Sequence, residues 1–375
     1  MKHGIIIVTM ILSLCFGISD WVFGKEQNDL PLGCISGVLI DGETGRVLYE
    51  KNGHEKRAMA STTKIMTCIL ALERCNQEEI VTVSKKAVNQ PKVRMNVKVG
   101  EQYVLKDLLY ALMLESYNDV AVAVAEHVGG SVEGFSRLMN RKAKEIGMTE
   151  SHFVTPNGLD AKKHYSTAYD MTLLGAYAIK NPMFLKIIGQ KEKTIRERNH
   201  GRRISLYNRD GYLAMDPNAI GIKTGFTNQA GYCFVGATKN RESQLISCVL
   251  GSGWPPSKNQ KWKDTKQLMD FGRKVFHRNH VEMNQIMLLH LNNGTKSLLR
   301  GKCQGSLDVL KTKREKIKYE NCYFYKLPVR KNQVIGYTKV YINDFYFGSI
   351  EIRSLDDIPK YDYSYCFQCL WNLFI

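Results

Sequence analysis

The chain has 375 residues, enough for two domains, each with its own core. With 44% hydrophobic and 24% charged residues, general disorder and a multi-span membrane protein are both excluded. The net charge of +17 favours polyanionic surroundings such as nucleic acid, anionic lipid or anionic wall polymer. No nucleic-acid-binding motif is present and the basic residues are scattered. The densest run, 311–318, reads as a solvated face.

Taken in order, the chain opens with Met1-Lys2-His3 and an apolar run, 4–18, too short to span a bilayer comfortably. Val22 and Gly24 then supply residues that a signal peptidase reads. Residues 1–24 are expected to be a secretory signal peptide, so the protein works outside the cytoplasmic membrane. Removal of that segment leaves nine cysteines, an odd number whose spacings do not form a disulfide framework. Several lie in apolar runs and read as small buried hydrophobes. Cys366 and Cys369 form a lone Cys-x-x-Cys without nearby histidines, which does not amount to a metal site, and no cofactor or metal is expected.

Residues 34–40 and 46–50 read as strands joined by the turn-forming Asp41-Gly42-Glu43-Thr44-Gly45. A polar loop leads into Ala60-Ser61-Thr62-Thr63-Lys64, at the head of an apolar-periodic run with helical spacing. Leu105, Leu108, Leu109, Leu112 and Met113 share a second helical face. It leads to Ser116-Tyr117-Asn118 and an Ala/Val-rich helix over 120–127 that is expected to be central. Amphipathic helices are expected over 131–146 and 165–179, the latter with Thr167 as N-cap and Asp170 three residues on. Three β-rich runs follow, 219–226, 231–238 and 244–250, and a helix over 264–277 closes the region. A hairpin, a block of helices, three strands and a final helix imply an α+β fold. Its antiparallel sheet, covered by helices, would join the two ends of this region. From 281 the pattern is strand-like with turn signals, which predicts a small all-β domain. The aromatic, weakly charged tail from 361 is too short to cross a bilayer and suits a membrane surface, although it lacks a Lys/Arg face.

Ser61 and Lys64 lie three residues apart, neighbours on one helical face, a pattern that chance alone supplies in a chain this long. The combination with Ser116-Tyr117-Asn118 and Lys223-Thr224-Gly225, each on the element its chemistry needs, is far less common. This trio is the one found in penicillin-binding proteins and class A β-lactamases. The sequence resembles the serine D-alanyl-D-alanine carboxypeptidases, the low-molecular-mass penicillin-binding proteins. The likeness runs from Ile40-Asp41 through the Ser61 motif, the 107–119 block, His152-Phe153 to Gly158-Leu159 and His164-Tyr165-Ser166-Thr167, to Gly221–Gly225 and Gly231-Tyr232-Cys233.

That resemblance implies a β-lactamase/DD-peptidase-like fold with a helical subdomain. The boundaries expected are a signal peptide at 1–24, a catalytic domain at 25–280, a β-rich domain at 281–360 and the tail at 361–375. It implies an exported bacterial cell-wall enzyme of peptidoglycan biosynthesis and cell shape, which trims stem peptides ending in D-Ala-D-Ala and is inhibited by β-lactams. Ser61 would be the nucleophile and Lys64 its base, kept neutral with the help of Lys223. Ser116 would relay the proton to the leaving amine, and Asn118 would orient Lys64 and the substrate amide. Lys223 and Thr224 suit the terminal carboxylate, Gly225 leaves the strand edge open, and the N–H groups of Ser61 and Phe226 would form an oxyanion hole. His164, in a Lys-rich loop before a helix, is not read as part of a Ser-His-Asp triad. Glu115 and Phe226 depart from the residues common at their positions. The competing readings are a serine β-lactamase, for which no glutamate to hold a hydrolytic water is identifiable, and an inactive peptidoglycan-binding wall protein.

Overall fold

A computed structural model describes residues 30–292 and 294–373; the expected signal segment lies outside the described residues. Strands β1 (Ser36–Asp41) and β2 (Val47–Lys51) form the expected hairpin. Helix α1 (Lys64–Arg74) follows a 3-10 turn over Ala60–Thr63. Next come β3 (Ile80–Thr82), α2 (Lys85–Val88), β4 (Gln102–Val104), α3 (Leu105–Leu114), α4 (Asn118–Gly129), α5 (Val132–Glu145), α6 (Ala168–Ala178) and α7 (Pro182–Ile188). A small ribbon, β5 (Glu192–Arg196) with β6 (Arg203–Tyr207), precedes β7 (Ala219–Thr227), β8 (Gly231–Lys239), β9 (Gln244–Leu250) and α8 (Gln260–Val275).

The central sheet has the order β2-β1-β9-β8-β7, so β1 pairs antiparallel with β9 and the two ends of the region meet as the sequence predicts. Its faces follow from strand alternation. In β9, Ile246, Cys248 and Leu250 enter the large core built with α1, α3, α4 and α6. Leu245 and, from β1, Leu39 face α8 instead, whose Gly272 lets the helix lie against both side chains. A sheet buried on both faces explains why these strands read as nearly continuous apolar runs.

The starts of helices α6 and α8 differ from expectation. Helix α6 starts at Ala168 rather than at 165, because Tyr165 is held extended by an antiparallel bridge to His152; Thr167 caps the helix by accepting from the Asp170 N–H at 3.0 Å. Helix α8 starts at Gln260, four residues early, and ends at Val275. The chain turns extended there and begins β10 (His277–His290).

Strand β10 belongs to the C-terminal all-β domain, with β11 (Leu298–Lys311), β12 (Ile317–Tyr323), β13 (Val334–Ile342) and β14 (Phe345–Ser354) in an antiparallel sheet of order β10-β11-β14-β13-β12. The two-residue Asn343-Asp344 turn fits its hairpin because Asn343 adopts φ +51°. Arg46, from the β1–β2 hairpin, reaches this domain: it donates to the Leu310 carbonyl at 2.9 Å, pairs with Glu315 and lies over the Phe276 and Phe347 rings. The tail carries helix α9 (Tyr363–Trp371), which exposes Tyr363, Phe367 and Trp371. No helix among the described residues is long and apolar enough to cross a membrane.

Candidate active site

The turn that carries Ser61 is fixed from several sides. Thr62 and Thr63 hydroxyls donate to the carbonyls of Met59 and Ala60, at 2.6 and 2.8 Å. Such local bonds favour a tight turn over a regular helix start. Ala60 adopts φ +48°, a conformation costly for a residue with a Cβ, so the surroundings must enforce it. Part of that enforcement comes from the 156–158 loop. The Thr67 hydroxyl donates to the Pro156 carbonyl at 2.6 Å, and Gly158, at φ +83°, packs so closely that a Cβ would stand 1.9 Å from the Ala60 oxygen.

His164 completes the support. Its Nδ1 accepts the Val154 N–H at 2.9 Å, which leaves Nε2–H to donate to Thr63 Oγ1 at 3.1 Å. Burial pushes its pKa down to about 4, so the ring is neutral at physiological pH and the tautomer is set by these contacts. His164 therefore touches the turn rather than Ser61, in keeping with its exclusion from a triad.

At the centre, Lys64 is wholly buried. Its Nζ lies 2.9 Å from Ser61 Oγ, 2.9 Å from Asn118 Oδ1 and 2.6 Å from the Asn157 carbonyl. The Asn118 amide is oriented by its own Nδ2, which donates to the Pro91 and Lys92 carbonyls at 3.2 and 3.0 Å, so Oδ1 faces the amine. Two of the three Lys64 partners are thus pure acceptors and claim two N–H bonds. The third direction, toward Ser61, takes either an N–H or the amine lone pair. Burial is the largest effect lowering the Lys64 pKa well below the usual lysine range, and the Lys223 charge adds to it, against the pull of Asp119. The arrangement favours a lone pair aimed at the Ser61 hydroxyl.

Asn118 opens α4, and Asp119 beside it accepts from the N–H groups of Met95, Asn96 and Val120 at 2.9–3.0 Å. This clamps the 91–97 segment whose carbonyls orient Asn118. Ser116, at φ +67°, stands in the loop between α3 and α4; among the described residues no hydrogen bond links its hydroxyl to Lys64 or Ser61. Glu115 is buried and engaged elsewhere, accepting from Tyr207 N at 2.9 Å and Arg209 Nε at 2.8 Å.

The other wall is β7, an edge strand. Gly225 passes so near the Ser61 turn that a Cβ would sit 2.8 Å from the Ser61 nitrogen, so any side chain there would fill the space in front of that N–H. Lys223, on this strand, is buried, and burial lowers its pKa to about 8 against the opposing pull of Asp210 and Glu115. Thr224 is half-buried, and the exposed Phe226 ring packs on Tyr232 at 4.6 Å between centroids. Ser61, Lys64 and Asn118 thus form one hydrogen-bonded cluster, with Lys223, Thr224, Gly225 and Phe226 along the neighbouring strand.

The sequence profile of the D-alanyl-D-alanine carboxypeptidase family, peptidase S11, matches residues 25–253. The chain belongs to that family. It is 35% identical over 253 residues to the D-alanyl-D-alanine carboxypeptidase DacF of Bacillus subtilis, covering 66% of this chain and 64% of that one. It is 36% identical over 252 residues to DacC of Escherichia coli, covering 64% and 61% respectively. The match thus spans less than two thirds of the length of either relative. Penicillin binding protein 5 from Haemophilus influenzae superposes with a TM-score of 0.72 at 27% identity, over 88% of this chain and 99% of that one. The Streptomyces K15 DD-transpeptidase gives 0.62 at 29% identity, over 66% and 99%. These likenesses agree with the α+β fold and with the family resemblance of the sequence.

Sequence reasoning missed the Asn157 carbonyl as a partner of Lys64. A backbone acceptor leaves no residue-type signal, and the available cue, the turn-forming Asn157-Gly158 pair, was not read as a turn. It also gave no role to Asp119 or Gly158. Replacing Gly158 by Ala is expected to lower stability by about 1–3 kcal/mol, because Ala must adopt φ > 0 against the Ala60 carbonyl. The same change is expected to slow labelling of Ser61 by a fluorescent penicillin about 100-fold through displacement of the turn. Thermal unfolding and time-resolved labelling check both, and an unaltered labelling rate would show that this packing does not position Ser61.

Proposed function

We propose that the chain is a serine D-Ala-D-Ala carboxypeptidase that removes the terminal D-alanine of peptidoglycan stem pentapeptides through an acyl-enzyme. The observation that carries this reading is the buried Lys64 amine, held by two acceptors with its third direction on Ser61. Ser61 Oγ attacks the carbonyl between the two D-alanines while Lys64 takes its proton. The oxyanion is held by the N–H groups of Ser61 and Phe226, at about 3 kcal/mol per donor. Ser116 passes a proton to the departing amine, and the C–N bond breaks to release D-alanine. Water then attacks the ester, with Lys64 again as base. Lys223 and the Thr224 hydroxyl bind the terminal carboxylate, which selects a chain end over an internal bond. Asn118 holds both the amine and the substrate amide.

Two features support this reading over a β-lactamase. Among the described residues the Lys64–Ser61 pair meets a backbone carbonyl rather than a glutamate, and Glu115 is committed to Tyr207 and Arg209. The buried, charge-shifted lysines speak against an inactive binding protein, since keeping an amine fully buried costs stability that an inert wall protein has no need to spend. The same reading places the enzyme outside the cytoplasmic membrane after loss of residues 1–24. Residues 25–280 then form the catalytic domain, 281–360 the β-rich domain, and the 361–375 tail touches the membrane surface.

Protein lacking residues 1–24 is expected to be labelled covalently by fluorescent penicillin and to release D-alanine from a peptide ending in D-Ala-D-Ala, with both lost in Ser61→Ala. Labelling without D-alanine release would indicate a binding protein, and rapid penicillin turnover a β-lactamase. A pH profile tests the carboxylate clamp. The protonated Lys223 binds the carboxylate, so kcat/KM is expected to fall as pH rises through about 8. In Lys223→Arg the guanidinium stays charged, and that descending limb should vanish over about pH 8–10. A limb unchanged by the substitution would assign the titration to another group.

A further inference from the structure

The far ends of the two helices that begin at Lys64 and Asn118 also meet. Cys75 caps the C-terminus of α1, and its N–H donates to the Ala71 carbonyl at 3.2 Å. His127 lies in the last turn of α4. Glu79 sits between them in a turn pinned by backbone bonds: its N–H donates to the Asn76 carbonyl at 3.1 Å, and its carbonyl accepts the Leu105 N–H at 2.8 Å. The Cys75 sulfur, a Glu79 carboxylate oxygen and a His127 ring nitrogen all lie within 4.8 Å of one another, and all three residues are half-buried.

We propose that Cys75, Glu79 and His127 bind a borderline-soft divalent cation of the Zn2+ class, outside the active centre. One thiolate, one imidazole and one carboxylate form a ligand set that this class takes, and a water fills the fourth position. Tetrahedral ligands around such an ion stand about 3.5 Å apart, so the present separations need only small side-chain rotations. Glu79 is already turned for the purpose. Its Oε1 accepts the Asn76 N–H at 2.6 Å, while Oε2 faces His127 Nε2 at 2.8 Å. On binding, the ion takes the place of the proton between Oε2 and Nε2, the Cys75 thiol loses its proton to water, and no redox change occurs. The site ties together the ends of α1 and α4 remote from Ser61 and Asn118, so it acts on stability rather than on the chemical step. Among the described residues this is the only such trio.

The test uses the full chain, stripped with a chelator and titrated with Zn2+ or Co2+. One equivalent of Co2+ is expected to bind and to give a thiolate-to-cobalt charge-transfer band. Zn2+ at 100-fold over its Kd is expected to raise Tm by about 3–5 °C. Cys75→Ser should abolish the band, while His127→Gln, which keeps the thiol, should weaken Zn2+ affinity at least about tenfold. The Cys369→Ser variant should bind as the parent does. Absence of stoichiometric binding, or a band that persists in Cys75→Ser, would overturn the proposal. If Cys75→Ser fails to fold, an unchanged affinity in His127→Gln overturns it equally.

Discussion

The structure depends on burying one amine. Lys64 is fully enclosed, and a buried ammonium is among the most costly groups a core can hold unless it is neutral or fully partnered. The fold supplies two fixed acceptors from two different segments, Asn118 at the head of α4 and the Asn157 carbonyl from the loop before α6. It leaves the third direction to Ser61. Much of the local architecture can be understood as holding those acceptors still. Asp119 clamps the segment that orients Asn118, while Gly158 and His164 hold the loop and the turn against each other.

The same constraint explains why strain collects here. Ala60 and Ser116 both have positive φ, and both flank the cluster. Neither is a residue that takes this conformation readily, so packing on either side has to enforce it. The edge strand β7 adds a different condition. It must approach the Ser61 nitrogen without filling the space in front of it, which only a residue without a side chain permits, and Gly225 occupies that point. A sheet buried on both faces gives β7 a rigid backing, so the site is built on secondary structure rather than on free loops.

Most of this was legible in the sequence because it is written in side chains. The Ser61-x-x-Lys64 spacing, the Ser116–Asn118 motif and the Lys223-Thr224-Gly225 strand each carry the residue types that the proposed chemistry requires, and the apolar periodicities pointed to the helices and the strand they adjoin. What escaped notice depends on the backbone or on long-range proximity. The Asn157 carbonyl has no side-chain signature. The start of α6 was misplaced because Tyr165 pairs with His152, a long-range contact that overrides a helical pattern. Cys75, Glu79 and His127 are separated by 4 and 48 positions, which matches no metal-binding spacing, and only the packing of α1 on α4 brings them together.

The protonation state of Lys64 can be read directly. In protein labelled with carbon-13 at the lysine Cε, the Lys64 signal, assigned by its loss in Lys64→Arg, should titrate well below the surface lysines, with the amine neutral at the pH of catalysis. A Lys64 signal that titrates together with the surface lysines would contradict the assignment of this amine as the base for Ser61.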